Sequence, residues 1–213
     1  FTFLRGASHP HELVTMASNL GYRALAITDE CSLAGVVKAH VATFNKNIKL
    51  IIGSEFKIDS HKVIVLVTNR NSYSKLSSLI TLARRRSKKG SYQIKWSDLK
   101  FNNDDLLIIW LPCGDFKKDQ LIISQLHDWF EKRLWIGFHN LLNGTETSHL
   151  SYLQKLSLLW KVHIVACGDV HMHKKDRQPL QDVLTAIKQK CSIKELGLSL
   201  IHNSEPTRRY EIS

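Results

Sequence analysis

Short apolar runs alternate with amphipathic helical patterns along this 213-residue chain, and this alternation constrains its fold more than any other feature. The apolar runs predict six strands, at residues 24–28, 49–52, 63–67, 106–111, 134–138 and 163–167. The patterns between them predict helices at residues 8–20, 33–44, 72–86, 119–130, 147–160 and 179–190. Strands that are apolar throughout are typical of a mainly parallel sheet with helices on both faces. The sequence therefore predicts one α/β domain, either an open doubly wound sheet or a closed barrel.

Local signals predict where several elements begin and end. Ser8 is expected to cap the first helix, because a serine hydroxyl can accept a hydrogen bond from the first free backbone N–H groups. Gly53 is expected to end the second strand, and residues 87–100 form the most loop-like segment.

Composition excludes several classes of protein. The longest apolar run, at residues 106–111, has six residues, whereas a membrane-spanning helix needs about 20. The four cysteines lie far apart without a CxxC pair, which argues against a zinc ribbon or a disulfide scaffold and suits a reducing cytoplasm. The chain begins at Phe1 without a signal-peptide pattern, and we expect the native N-terminus to lie upstream.

The charge of the chain is strongly positive. Thirty Lys and Arg residues against 19 Asp and Glu give a net charge of +11, and such a field attracts polyanions such as nucleic acid. The densest basic cluster comprises Arg84, Arg85, Arg86, Lys88 and Lys89. Cations at the C-terminal end of a helix also offset the helix dipole. The cluster is therefore either a nucleic-acid contact or a helix end.

Carboxylates and imidazoles follow four of the predicted strands. They are Asp29, Glu30, Glu55, His139, Asp169, His171 and His173. Ligands of α/β folds gather beyond the carboxyl ends of the strands, and these side-chain types bind Zn²⁺, Mn²⁺ or Fe, which can activate water against a phosphoester. Each residue also has an ordinary explanation, since Asp29 could cap the next helix and Glu55 could be a solvated acid. Their joint occurrence favours a metal site.

Longer blocks of sequence resemble a known family. Residues 3–10, 24–37 and 53–56 are similar to the N-terminal PHP (polymerase and histidinol phosphatase) domain of bacterial family C DNA polymerases, and particularly of the error-prone relatives of the DNA polymerase III alpha subunit. Residues 79–86, 89–92, 168–173 and 179–187 extend the similarity. The resemblance covers residues 1–197 and implies an irregular (β/α)7 PHP-type barrel whose N-terminal strand is missing from this chain.

The resemblance also implies a degenerate metal site. Active PHP domains open their trinuclear centre with a His-x-His pair, which here would precede Phe1, and Glu30 stands where they carry histidine. The matching ligand positions are Asp29, Glu55, Asp169 and His171, with His139 near a further one. A hard carboxylate in place of an imidazole weakens the binding of softer metals. We therefore expect weak or no binding of Zn or Mn, and little phosphoesterase activity.

For function, the resemblance implies a segment of an error-prone, translesion DNA-directed DNA polymerase, a nucleotidyltransferase of DNA replication and repair after DNA damage. Its polymerisation uses Mg at carboxylates that lie outside this chain, so no catalytic residue for polymerisation is expected here. The implied partners are DNA, deoxynucleoside triphosphates, a sliding clamp and mutagenesis accessory proteins, in the cytoplasm and without a membrane. The alternatives are a stand-alone metal-dependent PHP phosphoesterase and a non-catalytic nucleic-acid-binding module.

The last residues do not continue the family pattern. Residues 198–208 resemble the translation of a common sequencing adaptor, with Asn203 the one departure. We expect residues 198–213 to be an artefactual, non-family tail; the alternative is an ordinary polar tail.

Overall fold

The computed structural model describes residues 4–101, 105–139 and 146–196, so the predicted tail at 198–213 lies outside the described residues. The strands in this part are β1 (Ala24–Ile27), β2 (Lys49–Ile58), β3 (His61–Val67), β4 (Leu106–Leu111), β5 (Leu134–His139) and β6 (Ile164–Cys167). The α-helices are α1 (Pro10–Asn19), α2 (Val36–Thr43), α3 (Arg70–Arg85), α4 (Trp96–Phe101), α5 (Phe116–Phe130), α6 (Glu146–Trp160), α7 (Gln178–Gln189) and α8 (Ile193–Leu196). All six predicted strands and all six predicted helices are present, and α4 lies in the segment that was predicted to be a loop.

The chain divides into two compact units. Within the described residues, the first unit comprises residues 4–27, 34–51 and 168–196, and the second comprises residues 28–33, 52–101, 105–139 and 146–167. In the first unit α1 packs on α2, and β1 lies beside the start of β2, where the Lys49 N–H donates to the Arg23 carbonyl at 2.9 Å. The small core of this unit consists of Val14, Ala17, Ile27, Ala39 and Ile48.

The start of α1 differs from the prediction. His9, not Ser8, is the N-cap residue, and the Glu12 carboxylate accepts a hydrogen bond from the His9 backbone N–H at 2.8 Å. The prediction for Ser8 was wrong because its hydroxyl has another partner, the backbone N–H of His173 at 2.8 Å. A buried serine is thus used to hold a distant loop rather than to begin the helix.

The sheet of the second unit is mixed. Strands β2 and β3 are antiparallel, as are β3 and β4, whereas β5 is parallel to both β4 and β6. The prediction of a mainly parallel sheet was therefore wrong for its first half. A tight turn at Asp59 and Ser60 joins β2 directly to β3, and Asp59 adopts the left-handed φ of +53° that such turns require.

Gly53 does not end β2, which continues through it to Ile58. The strand needs glycine here, because a Cβ at residue 53 would lie 2.6 Å from both the Val65 carbonyl oxygen and the Leu66 Cδ2 of β3. As a consequence, Glu55 lies inside β2 and not beyond its end. This placement corrects the sequence expectation for that residue.

The core of the second unit lies between its sheet and the four helices α3, α4, α5 and α6. Phe56, Trp110 and Phe130 are fully buried in it. Among the residues that the structure describes, no helix combines the length and the apolar character needed to cross a membrane.

Candidate functional site

In the second unit, the segment after β1 is locked alongside β2. The Glu55 N–H donates to the Asp29 carbonyl at 3.1 Å, and the Cys31 N–H donates to the Glu55 carbonyl at 2.8 Å. The Ser54 hydroxyl also donates to the Asp29 carbonyl, at 2.7 Å. Asp29 and Glu55 are both only 3% exposed. The structure therefore brings these two predicted ligand residues together as buried acids on neighbouring backbone segments.

Glu30 in this segment has protein partners. Its Oε1 atom accepts a hydrogen bond from the Tyr92 hydroxyl at 3.0 Å and lies 3.5 Å from the Lys57 ammonium. Burial raises the pKa of the Tyr92 hydroxyl, and the Glu30 carboxylate adds to this effect, so the tyrosine stays a neutral donor. Glu30, predicted as a degenerate ligand, thus anchors its loop to β2 and to the segment that follows α3.

Arg84 holds the same loop from α3. Its guanidinium donates to the carbonyl of Cys31 at 3.1 Å and to that of Glu30 at 3.3 Å, and it lies over the Tyr92 ring at 5.3 Å. The Arg84 guanidinium is therefore engaged in contacts inside the protein. Arg86 is also engaged, because it forms two hydrogen bonds to the Asp98 carboxylate. Burial alone would raise the pKa of Asp98, but the bonds from Arg86 lower it below its ordinary value.

The other members of the basic cluster face solvent. Arg85, Lys88 and Lys89 are exposed at the end of α3 and in the segment after it. Arg86 is exposed as well, but its guanidinium is engaged by the Asp98 carboxylate. The contact of the exposed residues with a polyanion stays a prediction.

In the first unit, Asp169 and His171 lie together, as their spacing predicted. The His171 Nε2 lies 3.2 Å from Asp169 Oδ1 and donates to it, since a carboxylate only accepts. Asp169 adopts a left-handed φ of +45°, an uncommon conformation for a residue with a side chain. The local backbone is thus bent at the predicted ligand.

Arg5 forms an ion pair with Asp169. Its guanidinium nitrogen lies 3.0 Å from Oδ1 and 3.3 Å from Oδ2 of the carboxylate, and the arginine side chain is only 13% exposed. The buried Gln181 of α7 donates to the Arg5 carbonyl at 2.7 Å, and the Ala7 N–H donates to the His171 carbonyl at 2.8 Å. These bonds fix the backbone on both sides of the ion pair, so the arginine is built into the site.

The residues present do not fit a PHP-type metal centre well. In the first unit, a divalent cation at Asp169 would share the carboxylate with the Arg5 guanidinium, and two cations at one carboxylate repel each other. In the second unit, Glu30 replaces the expected imidazole and has Tyr92 and Lys57 as partners. In each unit, a predicted ligand acid therefore already has a protein cation as its partner, Arg5 beside Asp169 and Lys57 beside Glu30.

His139 and His173 occupy separate environments. His139 is the last residue of β5 and pairs in register with Cys167 of β6 in the second unit. His173, in the first unit, lies with Nδ1 2.7 Å from the Ser8 hydroxyl and 3.9 Å from the Glu12 carboxylate. Burial lowers the pKa of His173 below its ordinary value, against the opposing effect of the Glu12 carboxylate.

A further cluster of possible metal ligands was missed in the sequence. His61, Cys113 and Asp119 of the second unit bring one donor atom each to within 4.8 Å of one another. No sequence signal joins them, because they come from β3, the loop after β4, and α5. Asp119 is fully buried, and burial alone would raise its pKa, but the hydrogen bonds from His61 and Tyr152 lower the pKa to about 2.

The Asp119 carboxylate is already saturated by protein donors. Oδ1 accepts from His61 Nε2 at 2.9 Å and from the Cys113 N–H at 3.0 Å. Oδ2 accepts from the Gly114 N–H at 2.9 Å and from the Tyr152 hydroxyl at 2.5 Å. A metal ion would have to displace these bonds, so the cluster is better explained as a buried hydrogen-bond network than as a metal centre.

The mixed α/β fold and the pattern of acids and histidines define the class of protein. The chain belongs to the PHP domain family, whose sequence profile matches residues 1–134. Two solved structures share the fold: a proposed metal-dependent phosphoesterase from Bifidobacterium adolescentis and an amidohydrolase from Chromobacterium violaceum. The first has a TM-score of 0.58 at 15% identity and covers 80% of this chain and 85% of that one. The second has a TM-score of 0.55 at 14% identity and covers 79% and 84%. The predicted PHP-type α/β fold is confirmed.

Sequence relatives give a narrower comparison. A protein from Saccharophagus degradans named error-prone DNA polymerase is 47% identical over 206 residues, which are 96% of this chain and 20% of the relative. Proteins of the same name from Methylococcus capsulatus and Vibrio vulnificus are 47% and 42% identical over 96% and 99% of this chain. They are matched over 20% and 21% of their own lengths, so the chain spans about a fifth of these relatives. The family resemblance seen in the sequence is confirmed.

Proposed function

We propose that this chain is the PHP domain of an error-prone, translesion DNA-directed DNA polymerase that acts in DNA replication and repair. The observation that carries the proposal is the 47% identity to a relative of that name, which extends over 96% of this chain. Identity of this degree along nearly the whole segment favours a common role for the segment. The whole polymerase would act on DNA and deoxynucleoside triphosphates with Mg, and would work with a sliding clamp and mutagenesis accessory proteins in the cytoplasm.

Within such a polymerase, we propose that the PHP domain has a structural role and no hydrolytic one. The contact between Arg5 and Asp169 supports this, because the guanidinium supplies the positive charge that a metal would otherwise bring to the carboxylate. The ligands that we propose for the metal site are Asp29, Glu55, Asp169 and His171, with Glu30 and His139 as further candidates. We propose that it is degenerate and that residues 1–197 form the PHP domain, followed by a non-family tail at 198–213.

The first test is the activity of the polymerase-length protein. Expressed from the complete gene, it is expected to extend a primer past a template lesion, whereas the 213-residue chain alone is expected to add no nucleotide. A polymerase-length protein that lacks template-dependent synthesis would refute the proposal for the parent enzyme. Synthesis by the 213-residue chain itself would refute the statement that the catalytic carboxylates lie elsewhere.

The second test concerns hydrolysis. The 213-residue chain with Mn²⁺ or Zn²⁺ is expected to cleave bis(p-nitrophenyl) phosphate no faster than its Asp169→Ala variant. The fold shared with a proposed metal-dependent phosphoesterase is what favours the alternative function. Metal-dependent cleavage that disappears in Asp169→Ala would establish that alternative. A protein that binds DNA but neither polymerises nor hydrolyses would instead fit the third function, a nucleic-acid-binding module.

A further inference from the structure

An apolar stripe runs along the exposed face of α7. Leu180, Val183 and Ile187 are 41%, 40% and 54% exposed, and their spacing of three and four residues places them on one face of the helix. We call these three residues the α7 stripe. Apolar side chains that form a contiguous exposed patch are a feature of interaction sites on protein surfaces.

The helix that carries the stripe is fixed in the first unit by its opposite face. Gln181, Thr185 and Ala186 are at most 8% exposed. Gln181 donates to the Arg5 carbonyl at 2.7 Å, and the Thr185 hydroxyl donates to the Gln181 carbonyl. The bond within α7 does not restrain the helix, but α7 cannot turn to bury the stripe without breaking the bond from Gln181 to Arg5.

We infer that the α7 stripe is the docking surface for the remainder of a polymerase-length polypeptide, an inference that rests on the proposed function. The chain spans about 20% of its relatives, so about four fifths of such a polypeptide lie outside this segment and can supply the surface that covers the stripe. Interfaces between the domains of one chain typically bury about 600–1,500 Å². A helix face of this kind supplies the apolar centre of such an interface.

The net charge of the chain favours the remainder of the polypeptide over a second copy of the chain as the partner of the stripe. Each copy carries a net charge of +11, so two copies repel each other. Lys188 and Lys190 are exposed at the C-terminal end of α7, beside the stripe. The surface that covers the stripe is therefore apolar at its centre and acidic at its rim.

The test compares the stripe in two proteins from the same gene, the 213-residue chain and the polymerase-length protein. Amide hydrogen exchange in α7 is expected to be slower by about tenfold or more in the long protein, because docking adds to the free energy of local opening. The double variant Val183→Asp/Ile187→Asp is expected to abolish this extra protection while leaving the thermal unfolding of the short chain unchanged. The control is Leu158→Asp on α6, where the wild-type side chain is 81% exposed outside the stripe.

The outcomes separate the inference from the proposed function. Equal exchange of α7 in both proteins, or an equal effect of the double variant on both, would overturn the inference. A short chain that forms dimers which the double variant dissociates would assign the stripe to a second copy and would also overturn it. Primer extension is measured on the same long protein, so protection of α7 without polymerase activity would contradict the proposed function while supporting the docking surface.

Discussion

Tyr152 and Asp119, 33 residues apart, share a hydrogen bond of 2.5 Å from the tyrosine hydroxyl to Oδ2 of the carboxylate. The bond joins α6 to α5 through a fully buried charge. Asp119 also accepts from His61 of β3, so three elements of the second unit meet at one side chain. Hydrogen bonds to an ionised carboxylate are stronger than those between neutral groups, which makes this residue a principal source of stability.

Replacement of Asp119 is expected to destabilise the chain severely. Asp119→Ala leaves the four donors of the network without their acceptor, and removal of one partner of a buried ionic pair costs about 3–5 kcal/mol. Urea unfolding followed by circular dichroism measures the change. Tyr152→Phe removes a single donor and is expected to cost roughly 1–2 kcal/mol, which gives a milder variant if the alanine protein does not fold. A decrease of under about 1 kcal/mol in Asp119→Ala would contradict the network.

The same residue predicts the response of stability to acid. The pKa of Asp119 is lowered to about 2 in the folded protein, below the value of about 3.9 for an unfolded chain. Its contribution of roughly 2–3 kcal/mol is therefore complete above the unfolded value and is lost as the pH falls toward 2. We expect the free energy of unfolding to fall over this interval by less in Tyr152→Phe than in the wild type. Parallel pH profiles for the two proteins would argue against the assignment.

Removal of the internal cation is expected to improve metal binding. Arg5→Gln keeps the backbone carbonyl that Gln181 contacts but removes the positive charge at Asp169. We expect Mn²⁺ to bind at least about tenfold more tightly to this variant, because the absence of one nearby cation relieves a repulsion of more than about 1 kcal/mol. Isothermal titration calorimetry measures the affinity. The matched control is Arg177→Gln, since Arg177 pairs with Glu12 and not with a predicted ligand. Equal affinities in Arg5→Gln and the wild type would show that Arg5 does not oppose a metal.

The contact of Tyr92 with Glu30 is expected to stabilise the loop after β1. Tyr92→Phe removes the donor to Glu30 and the acceptor for the Lys57 N–H, which predicts a decrease of about 1–2 kcal/mol in the free energy of unfolding. Tyr73→Phe, at a residue that is 37% exposed on α3, serves as the control. If both variants unfold at the same urea concentration as the wild type, the bond contributes nothing to stability.

Three residues of the basic cluster are expected to contact polyanions. The combined replacement of Arg85, Lys88 and Lys89 by alanine should flatten the salt dependence of duplex DNA binding by about 0.9 in log–log slope for each phosphate that the variant no longer neutralises. Fluorescence anisotropy at several salt concentrations measures the slope. Lys155→Ala/Lys161→Ala removes exposed charge elsewhere on the second unit and is expected to leave the slope unchanged. The same flattening in both variants would indicate a general effect of net charge.

The sequence predicted the elements well because hydrophobic periodicity is local. It misplaced Glu55 because Gly53 looks like a strand end, whereas the glycine is required by the close approach of β3. The pairing of Asp169 with His171 was predictable from a spacing of two residues. Its pairing with Arg5 was not, since the two residues are separated by 164 positions. The same limit hid the Asp119 network, whose donors come from β3 and α6 as well as from the adjacent loop.

The close approach at Gly53 has a consequence at the level of the genetic code. Every missense change of one nucleotide in a glycine codon introduces a residue with a Cβ atom, and a Cβ at position 53 would lie 2.6 Å from a backbone oxygen. Because that oxygen belongs to the paired strand β3, it cannot move aside as a flexible side chain can. We therefore expect only synonymous changes at codon 53 of this gene to be tolerated, unless the paired strands move apart.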